Sequence, residues 1–251
     1  TRMIQDGKEA FTNRSFTWLF FGVLIVFVMS GVNNALDLYM FQYFWELTGV
    51  QMLWTQLALM VGLMGGVFLT TTLHRYTDKK FGVILGTGAW AVVQVIPVVL
   101  RLTGKFPENG DPLLVTTLIT LKFLQGILLQ QAFVSFGSMM ADVTDEHEYQ
   151  TGIRQEGIFF GAIAFSAKAT SGLGNFIGGF GLDIIQWPDI HTAADIPPET
   201  LVNLGLLYGP IVATFSIVSL WCYTHYHLTR ERHAEILVEL RQRRLTSAAE
   251  D

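Results

Sequence analysis

The chain alternates between long apolar stretches and short polar segments. Six of these stretches carry few or no charges over at least about 18 residues, the length of helix that crosses the hydrocarbon core of a bilayer. Since hydrocarbon offers no hydrogen-bond partner to an exposed backbone, each stretch is expected to be a helix. The predicted spans cover residues 16–45, 51–73, 81–100, 113–141, 157–185 and 201–227. This pattern predicts an all-α integral membrane protein with six transmembrane helices.

Composition supports this interpretation and excludes other classes. Hydrophobic residues make up 51% of the chain, charged residues only 15%, and the mean hydropathy is +0.40. The net charge of -5 argues against nucleic acid as a partner. No helix shows the histidine spacing of a metal site, and no activated serine or cysteine arrangement is visible, so we predict neither an enzyme nor a bound metal or organic cofactor.

The loop charges predict the orientation. If both ends of the chain face the cytoplasm, the loops on that side hold most of the lysines and arginines, whereas the opposite loops hold only Arg101 and Lys105. The positive-inside rule favours this arrangement. We therefore predict a multi-pass protein of the plasma membrane, of the bacterial inner-membrane type. Residues 1–229 would form the bundle, and residues 230–251 a basic cytoplasmic tail, helical and in contact with membrane lipid.

Two polar segments of the predicted cytoplasmic side stand out. The first, SMMADVTDEHEYQTGIRQEG at residues 138–157, concentrates acidic side chains between the fourth and fifth spans. The second, LHRYTDKKFG at residues 73–82, alternates basic residues with an aspartate before a glycine, which is typical of a tight, ion-paired turn. The acidic segment could also be a solvated loop that only fixes the topology.

These segments carry a resemblance to a known family. The string MMADVTDEHEYQTGIRQEGIFFGAIAFSAKATSG, together with LYMFQYFWELTG of the first span, resembles the carboxyl-terminal half of the glycoside-pentoside-hexuronide cation symporters, the melibiose-carrier branch of the major facilitator superfamily. Lys168 matches a lysine of that family, and Tyr39 and Tyr43 match its first-span tyrosines. The family pattern A-D-x-x-D-x-x-E-Y followed by R-x-E falls on Asp142, Asp145, Glu148, Tyr149, Arg154 and Glu156.

The resemblance implies half of a transporter, equivalent to helices seven to twelve of the family fold. Its function would be cation-coupled symport of a small organic solute, a sugar or glycoside, by alternating access. The coupling cation, Na⁺ or H⁺, would be held mainly by the other half, and the partner would be an amino-terminal six-helix half or a second copy. Ile163 and Ala164 replace polar groups that sugar-transporting relatives tend to carry, so a lysolipid symporter and a non-transporting or lipid-binding scaffold stay open as alternatives.

Lys168 is the first candidate for the substrate site. It lies 11 residues beyond Gly157, which places it about 16 Å into the bilayer. An unpaired ammonium at that depth costs at least about 2.5 kcal/mol, so Lys168 should meet a carboxylate or a water-filled cavity. The alternative is a purely structural ion pair.

The other substrate candidates lie on the fourth and first spans. Phe133 has about the same predicted depth as Lys168, and the resemblance places there an aromatic ring that stacks on the substrate; the alternative is a packing phenylalanine. Asn34 and Asp37 belong to the polar string GVNNALDLYMFQYF, which either lines a cavity or forms a structural hydrogen-bond cluster. Tyr39 and Tyr43, at i and i+4, share one helix face and could line the outer mouth.

A cytoplasmic gate is the last predicted site. Asp142, Asp145 and Glu148 would hold basic groups when this side is closed and release them when it opens. The remaining predicted members of the gate are Arg154, Glu156, Arg75, Asp78 and Lys79.

Overall fold

The computed structural model describes residues 10–188 and 196–250, without the side chains of Ser171 and residues 247–250. The predicted bundle and tail, 1–229 and 230–251, extend beyond these residues at 1–9, 189–195 and 251. Seven helices and no strand occur in the described part. They are α1 (Arg14–Tyr39, continued by a π-helical turn at Met40–Phe44), α2 (Gly49–Tyr76), α3 (Lys79–Leu102), α4 (Pro112–Thr151), α5 (Glu156–Ile184), α6 (Pro198–Leu206, a π-helical turn at Leu207–Ile211, and Val212–Thr224) and α7 (Arg230–Glu250).

A helix occupies each of the six predicted spans, so the predicted all-α fold is confirmed. Within the described residues, five helices are long and apolar enough to cross a membrane: α1, α2, α3, α4 and α6. The 29-residue α5 is not among them. Its sequence contains Lys168 and a series of glycines, which contribute little hydrophobicity.

The six helices of the bundle form two groups in chain order, α1–α3 and α4–α6, and the two groups make equivalent contacts. The helix α1 packs mainly against α5 and α6, and the helix α4 packs mainly against α2 and α3. The first helix of each group thus contacts the second and third helices of the other group. The bundle therefore has an approximate internal two-fold repeat of three plus three helices.

Glycines allow close helix approach at two equivalent interfaces. A Cβ atom added at Gly62 of α2 would lie 3.1 Å from the Cα of Gly126 on α4. A Cβ atom added at Gly174 of α5 would lie 2.6 Å from the Cα of Gly31 on α1. Both interfaces bring helix backbones together, as small residues do in membrane proteins.

The acidic segment is helical, which corrects the expectation of a loop there. The predicted span ended at residue 141, whereas α4 continues to Thr151. Gly152, with φ of 74°, ends the helix in the left-handed conformation that glycine adopts without steric cost. The acidic residues consequently have fixed positions on the last turns of α4, where basic groups from other segments can reach them.

The helix α7 packs onto the bundle. Ile236 and Leu240 are 1% and 5% exposed and join the same hydrophobic cluster as Phe16 of α1 and Met139 of α4. A second hydrophobic cluster, which includes Leu36 of α1, fills the other end of the bundle. The predicted helical tail is thus a packed part of the structure.

Candidate functional site

The charged end of the bundle is formed by the first residues of α3 and α5, the last residues of α4, and α7. Lys79 Nζ donates to Oδ1 and Oδ2 of Asp142 at 2.8 and 2.7 Å. This pair joins the start of α3 to α4, as the two polar segments of the sequence predicted.

Arg154 is the second basic group at this end. Its Nη1 donates to Asp145 Oδ1 at 3.1 Å and to Glu148 Oε2 at 3.0 Å, and its Nη2 donates to Glu156 Oε2 at 3.2 Å. The hydrogen bonds to Glu148 and Glu156 raise the pKa of Arg154 above its usual value. The pairs of Asp142, Asp145 and Glu148 that the gate hypothesis requires are therefore present in one conformation of the chain.

The helix α7 supplies basic groups that sequence reasoning missed. His233 Nε2 lies 3.1 Å from Asp145 Oδ2 and 3.5 Å from Asp142 Oδ1. Arg244 Nη2 donates to Glu148 Oε1 at 2.6 Å. The basic composition of the tail was visible in the sequence, but nothing in the local pattern shows that it folds back onto α4.

Two of the predicted gate residues are placed differently. Arg75 is exposed and forms no ion pair within the described ranges. Asp78 is the residue before α3, but its side chain forms no cap hydrogen bond there. Lys79 is thus the residue of this segment that forms an ion pair with α4. A gate role stays a prediction for every member of the cluster, Arg75 and Asp78 included.

Lys168 lies on an exposed face of α5. At helical spacing this face carries small or polar residues, all exposed, and we call it the Lys168 stripe: Gly161, Ala164, Lys168, Gly172, Asn175 and Gly179. A Cβ atom added at Gly161, Gly172 or Gly179 would meet nothing within 4 Å. No carboxylate of the described part of the chain lies within ion-pair distance of Lys168. The stripe is therefore open.

Phe133 and Asn34 are also exposed. Phe133 is 40% exposed and lines a small apolar cavity between α1, α3 and α4. Neither a ring contact nor an ion pair connects Lys168 with Phe133 or Asp37 in the part of the chain that the structure describes. The substrate candidates on α1, α4 and α5 therefore make none of these direct contacts with one another among the described residues, and a shared substrate site stays a prediction.

Asp37 and the two tyrosines have partners inside the chain. Asp37 Oδ1 accepts a hydrogen bond of 2.5 Å from the hydroxyl of Tyr208 on α6. The rings of Tyr39 and Tyr43 lie 5.3 and 5.2 Å from the ring of Trp187. These contacts give each residue a structural role, and a role in substrate contact stays a prediction for all three.

A buried chain of amides crosses the bundle near Asp37. Its Asn33 end belongs to the polar string for which a structural hydrogen-bond cluster was one alternative, whereas Gln94 and Gln125 were not predicted. Gln125 Nε2 of α4 donates to Gln94 Oε1 of α3 at 2.7 Å, and Gln94 Nε2 donates to Asn33 Oδ1 of α1 at 3.2 Å. Glutamines in otherwise apolar spans were the available signal, because buried amides must find partners. The chain links three helices that sequence reasoning treated separately.

Comparison with known proteins determines the family. The family model described as MFS/sugar transport protein matches residues 1–230. The chain belongs to this family. Its relatives include the uncharacterized symporter sll1374 of Synechocystis sp., with 26% identity over 96% of this chain and 43% of the relative. The uncharacterized symporter YjmB of Bacillus subtilis is 26% identical over 94% and 48%, and the glucuronide carrier protein homolog of Escherichia coli is 23% identical over 92% and 48%.

Membership of the MFS/sugar transport family confirms the predicted resemblance. The chain spans about half the length of these relatives. Its six-helix bundle is a major-facilitator-type half fold. Family and fold together identify a multi-pass membrane protein of a transporter family.

Proposed function

We propose that the chain is the carboxyl-terminal half of a cation-coupled symporter that moves a sugar or glycoside with an anionic group by alternating access. The general part of this proposal, transport by a major-facilitator protein, rests on the family match. The specific part, symport of a sugar or glycoside with an anionic group, is supported chiefly by one observation, the open Lys168 stripe of α5.

The Lys168 stripe has the chemistry of a cavity wall. A lysine facing lipid in the middle of a membrane helix is costly, so it requires water, a carboxylate or a polar solute. Its neighbours on the stripe are small, which leaves room for a solute or for a second helix. In the complete transporter, Lys168 would meet a carboxylate of the other half before the solute arrives.

The chemistry of the solute follows from the same lysine. A cation in a low-dielectric cavity favours a solute that carries negative charge. The Escherichia coli relative is named as a glucuronide carrier protein homolog. By analogy, a glycoside with a carboxylate is the solute class that this site would accept.

The charged end would serve as the gate of this transporter on the predicted cytoplasmic side. Lys79 holds Asp142, and Arg154 holds Asp145 and Glu148. These pairs are partly exposed, so they can open at moderate cost. Alternating access requires such contacts, which form in one state and break in the other.

Separate expression of the two halves tests the half-transporter proposal. The 251-residue chain is expressed alone and with an amino-terminal six-helix half of the same family, and cation-dependent uptake is measured in liposomes. Expressed alone, the chain is expected to insert, to self-associate and to show no coupled uptake, because it lacks a second bundle to move against. Uptake should appear on co-expression. Robust cation-dependent uptake by the purified chain alone would instead identify a self-sufficient homodimer.

A matched pair of solutes tests the substrate class. Methyl glucuronide and methyl glucoside differ only in the carboxylate, and each is offered to the active assembly under a Na⁺ or H⁺ gradient. Uptake of the glucuronide should exceed that of the glucoside. Equal uptake would contradict an anionic preference, and uptake of a lysophospholipid with neither sugar would favour the lysolipid alternative.

A further inference from the structure

A polar cavity of about 110 Å³ lies at the charged end, apart from the Lys168 stripe. Its walls come from the turn between α2 and α3, from α4, and from the connection between α6 and α7. The lining includes Lys79, Lys80, Asp142, Tyr226, Arg230 and His233. A space of this size holds several water molecules or one small polyatomic ion. We call it the Tyr226 cavity.

The hydroxyl of Tyr226 lacks a partner. The residue is only 3% exposed, and within the described residues no group hydrogen-bonds its hydroxyl. Burial raises the pKa of Tyr226, and the carboxylates of Asp142, Glu146 and Asp78 raise it further, so the hydroxyl keeps its proton and can donate it. A buried donor without an acceptor is destabilising, because it has lost its hydrogen bond to water. A ligand with acceptor oxygens would remove that cost.

Full cations outnumber carboxylates among the residues that line the cavity. Lys80 Nζ donates to the backbone oxygens of Thr224 and Tyr226, which fixes the ammonium beside the cavity. Arg230 lines the cavity, is exposed, and forms no ion pair or hydrogen bond with the rest of the described chain. The first turn of the long helix α3 also begins here, and its free amide groups favour an anion.

One of the two carboxylates in the lining is paired with basic groups. Asp142 is paired with Lys79 and lies near His233. Asp78 is exposed at the start of α3. The lining thus holds the three full cations Lys79, Lys80 and Arg230 against these two carboxylates. Glu146, which also acts on Tyr226, is outside the lining and accepts a hydrogen bond from Asn13.

From this arrangement we infer that the Tyr226 cavity binds a phosphate group, from either a soluble phosphate or a phospholipid headgroup. Arg230 and Lys80 would supply the charge, and the Tyr226 hydroxyl would donate to one phosphate oxygen. Because the cavity joins α3, the end of α6 and the start of α7, an occupied site would hold α7 on the bundle.

Two substitutions test the site without disturbing the packing. Tyr226→Phe removes only the hydroxyl, and Arg230→Gln removes an exposed charge; Lys105→Gln, in the connection between α3 and α4 at the other end of the bundle, is the control. The thermal midpoint of the delipidated chain is measured in a maltoside detergent, with inorganic phosphate or with chloride at equal ionic strength. Phosphate or phospholipid should raise the midpoint of the unmodified chain and of the control by mass action.

The Tyr226→Phe variant gives the sharpest result. Without phosphate its midpoint should equal or exceed that of the unmodified chain, since an unpaired buried donor has been removed. With ligand, the affinity derived from the shift should fall at least about tenfold, the equivalent of about 1.4 kcal/mol, and Arg230→Gln should weaken it similarly. If Tyr226→Phe instead lowers the midpoint equally with and without ligand, the cavity holds structural water and the inference is wrong.

A second titration separates the two sources of phosphate. Short-chain phosphatidylglycerol is compared with a galactolipid that has similar acyl chains and no phosphate. Stabilisation by inorganic phosphate indicates a soluble ligand, and stabilisation by phosphatidylglycerol alone indicates a headgroup. If neither stabilises the unmodified chain more than the two variants, no phosphate site exists.

Discussion

The charged end and the Lys168 stripe differ in whether their charged side chains have partners within the chain. At the charged end, each acidic residue on the last turns of α4 has a partner within the chain: Asp142 with Lys79, Asp145 and Glu148 with Arg154, and Glu146 with Asn13. On α5, Lys168 has no carboxylate nearby among the residues described. The first region is electrostatically complete and the second is not. The comparison indicates that the acidic groups of the charged end find their partners within this chain, whereas the cation of the Lys168 stripe has no carboxylate partner among the described residues.

The largest expected effect is that of a substitution in the Lys168 stripe. Lys168→Ala should reduce coupled uptake by the full transporter to background, because the cation that receives the carboxylate is lost. Membrane insertion should be unaffected or improved, since an ammonium at mid-depth costs at least about 2.5 kcal/mol. Uptake and membrane yield are measured together. Lys122→Ala is the matched control, because Lys122 is also in a span but lies over the ring of Phe41; if Lys168→Ala accumulates solute normally, the stripe has no transport role.

Two glycines of α5 can sharpen the distinction between its faces. Gly174 packs against Gly31, whereas Gly172 belongs to the open stripe. Gly174→Ala should destabilise the bundle by about 1–3 kcal/mol, because the new methyl group meets backbone atoms that cannot move aside.

Gly172→Ala should leave stability unchanged or raise it by up to about 1 kcal/mol, because alanine favours the helix. Thermal unfolding in detergent measures both variants. Equal destabilisation would show that the stripe is packed in solution, in contradiction to the open face described above.

A smaller effect is expected from weakening the ion pairs of the charged end. Asp145→Asn weakens the contacts with Arg154 and His233 and should shift the transporter toward the state that is open at the charged end. A cysteine introduced at Gly161, where a side chain meets open space, should then react several-fold faster with a water-soluble maleimide in a Cys222→Ser background. Glu146→Gln is the control, since it can keep its hydrogen bond to Asn13. Unchanged labelling and unchanged transport would indicate that the acidic segment only fixes the topology of the chain.

The smallest expected effect is at the edge of the charged end. Arg244 is paired with Glu148 but its side chain is 61% exposed, and exposed ion pairs contribute about 0–1 kcal/mol. Arg244→Gln should therefore shift the thermal midpoint only slightly, and less in high salt than in low salt. A large, salt-independent loss of stability would mean that α7 depends on this contact more than on the burial of Ile236 and Leu240.

Hydrophobic length was sufficient to predict the helices of the bundle. Bilayer hydrocarbon forces the backbone of an apolar run to pair internally, so the six segments could be located from the sequence alone. The acidic segment shows the limit of this rule. Its charges indicated the end of an apolar run at residue 141, whereas the helix itself ends only at Gly152, because basic groups from distant segments stabilise its last turns.

The sequence by itself determined the helical class, the family and the identity of the residues with exceptional chemistry, Lys168 and the acids of α4 among them. These properties depend on local composition and spacing, which the chain carries in linear order. Only the tertiary structure decided the partners: His233 and Arg244 reach α4 from about 90 residues away. It also decided which glycines of α5 are packed and which are open. The physical reason is that pairing and packing depend on how helices are arranged around one another, and helical periodicity fixes only which residues share a face, not what that face meets.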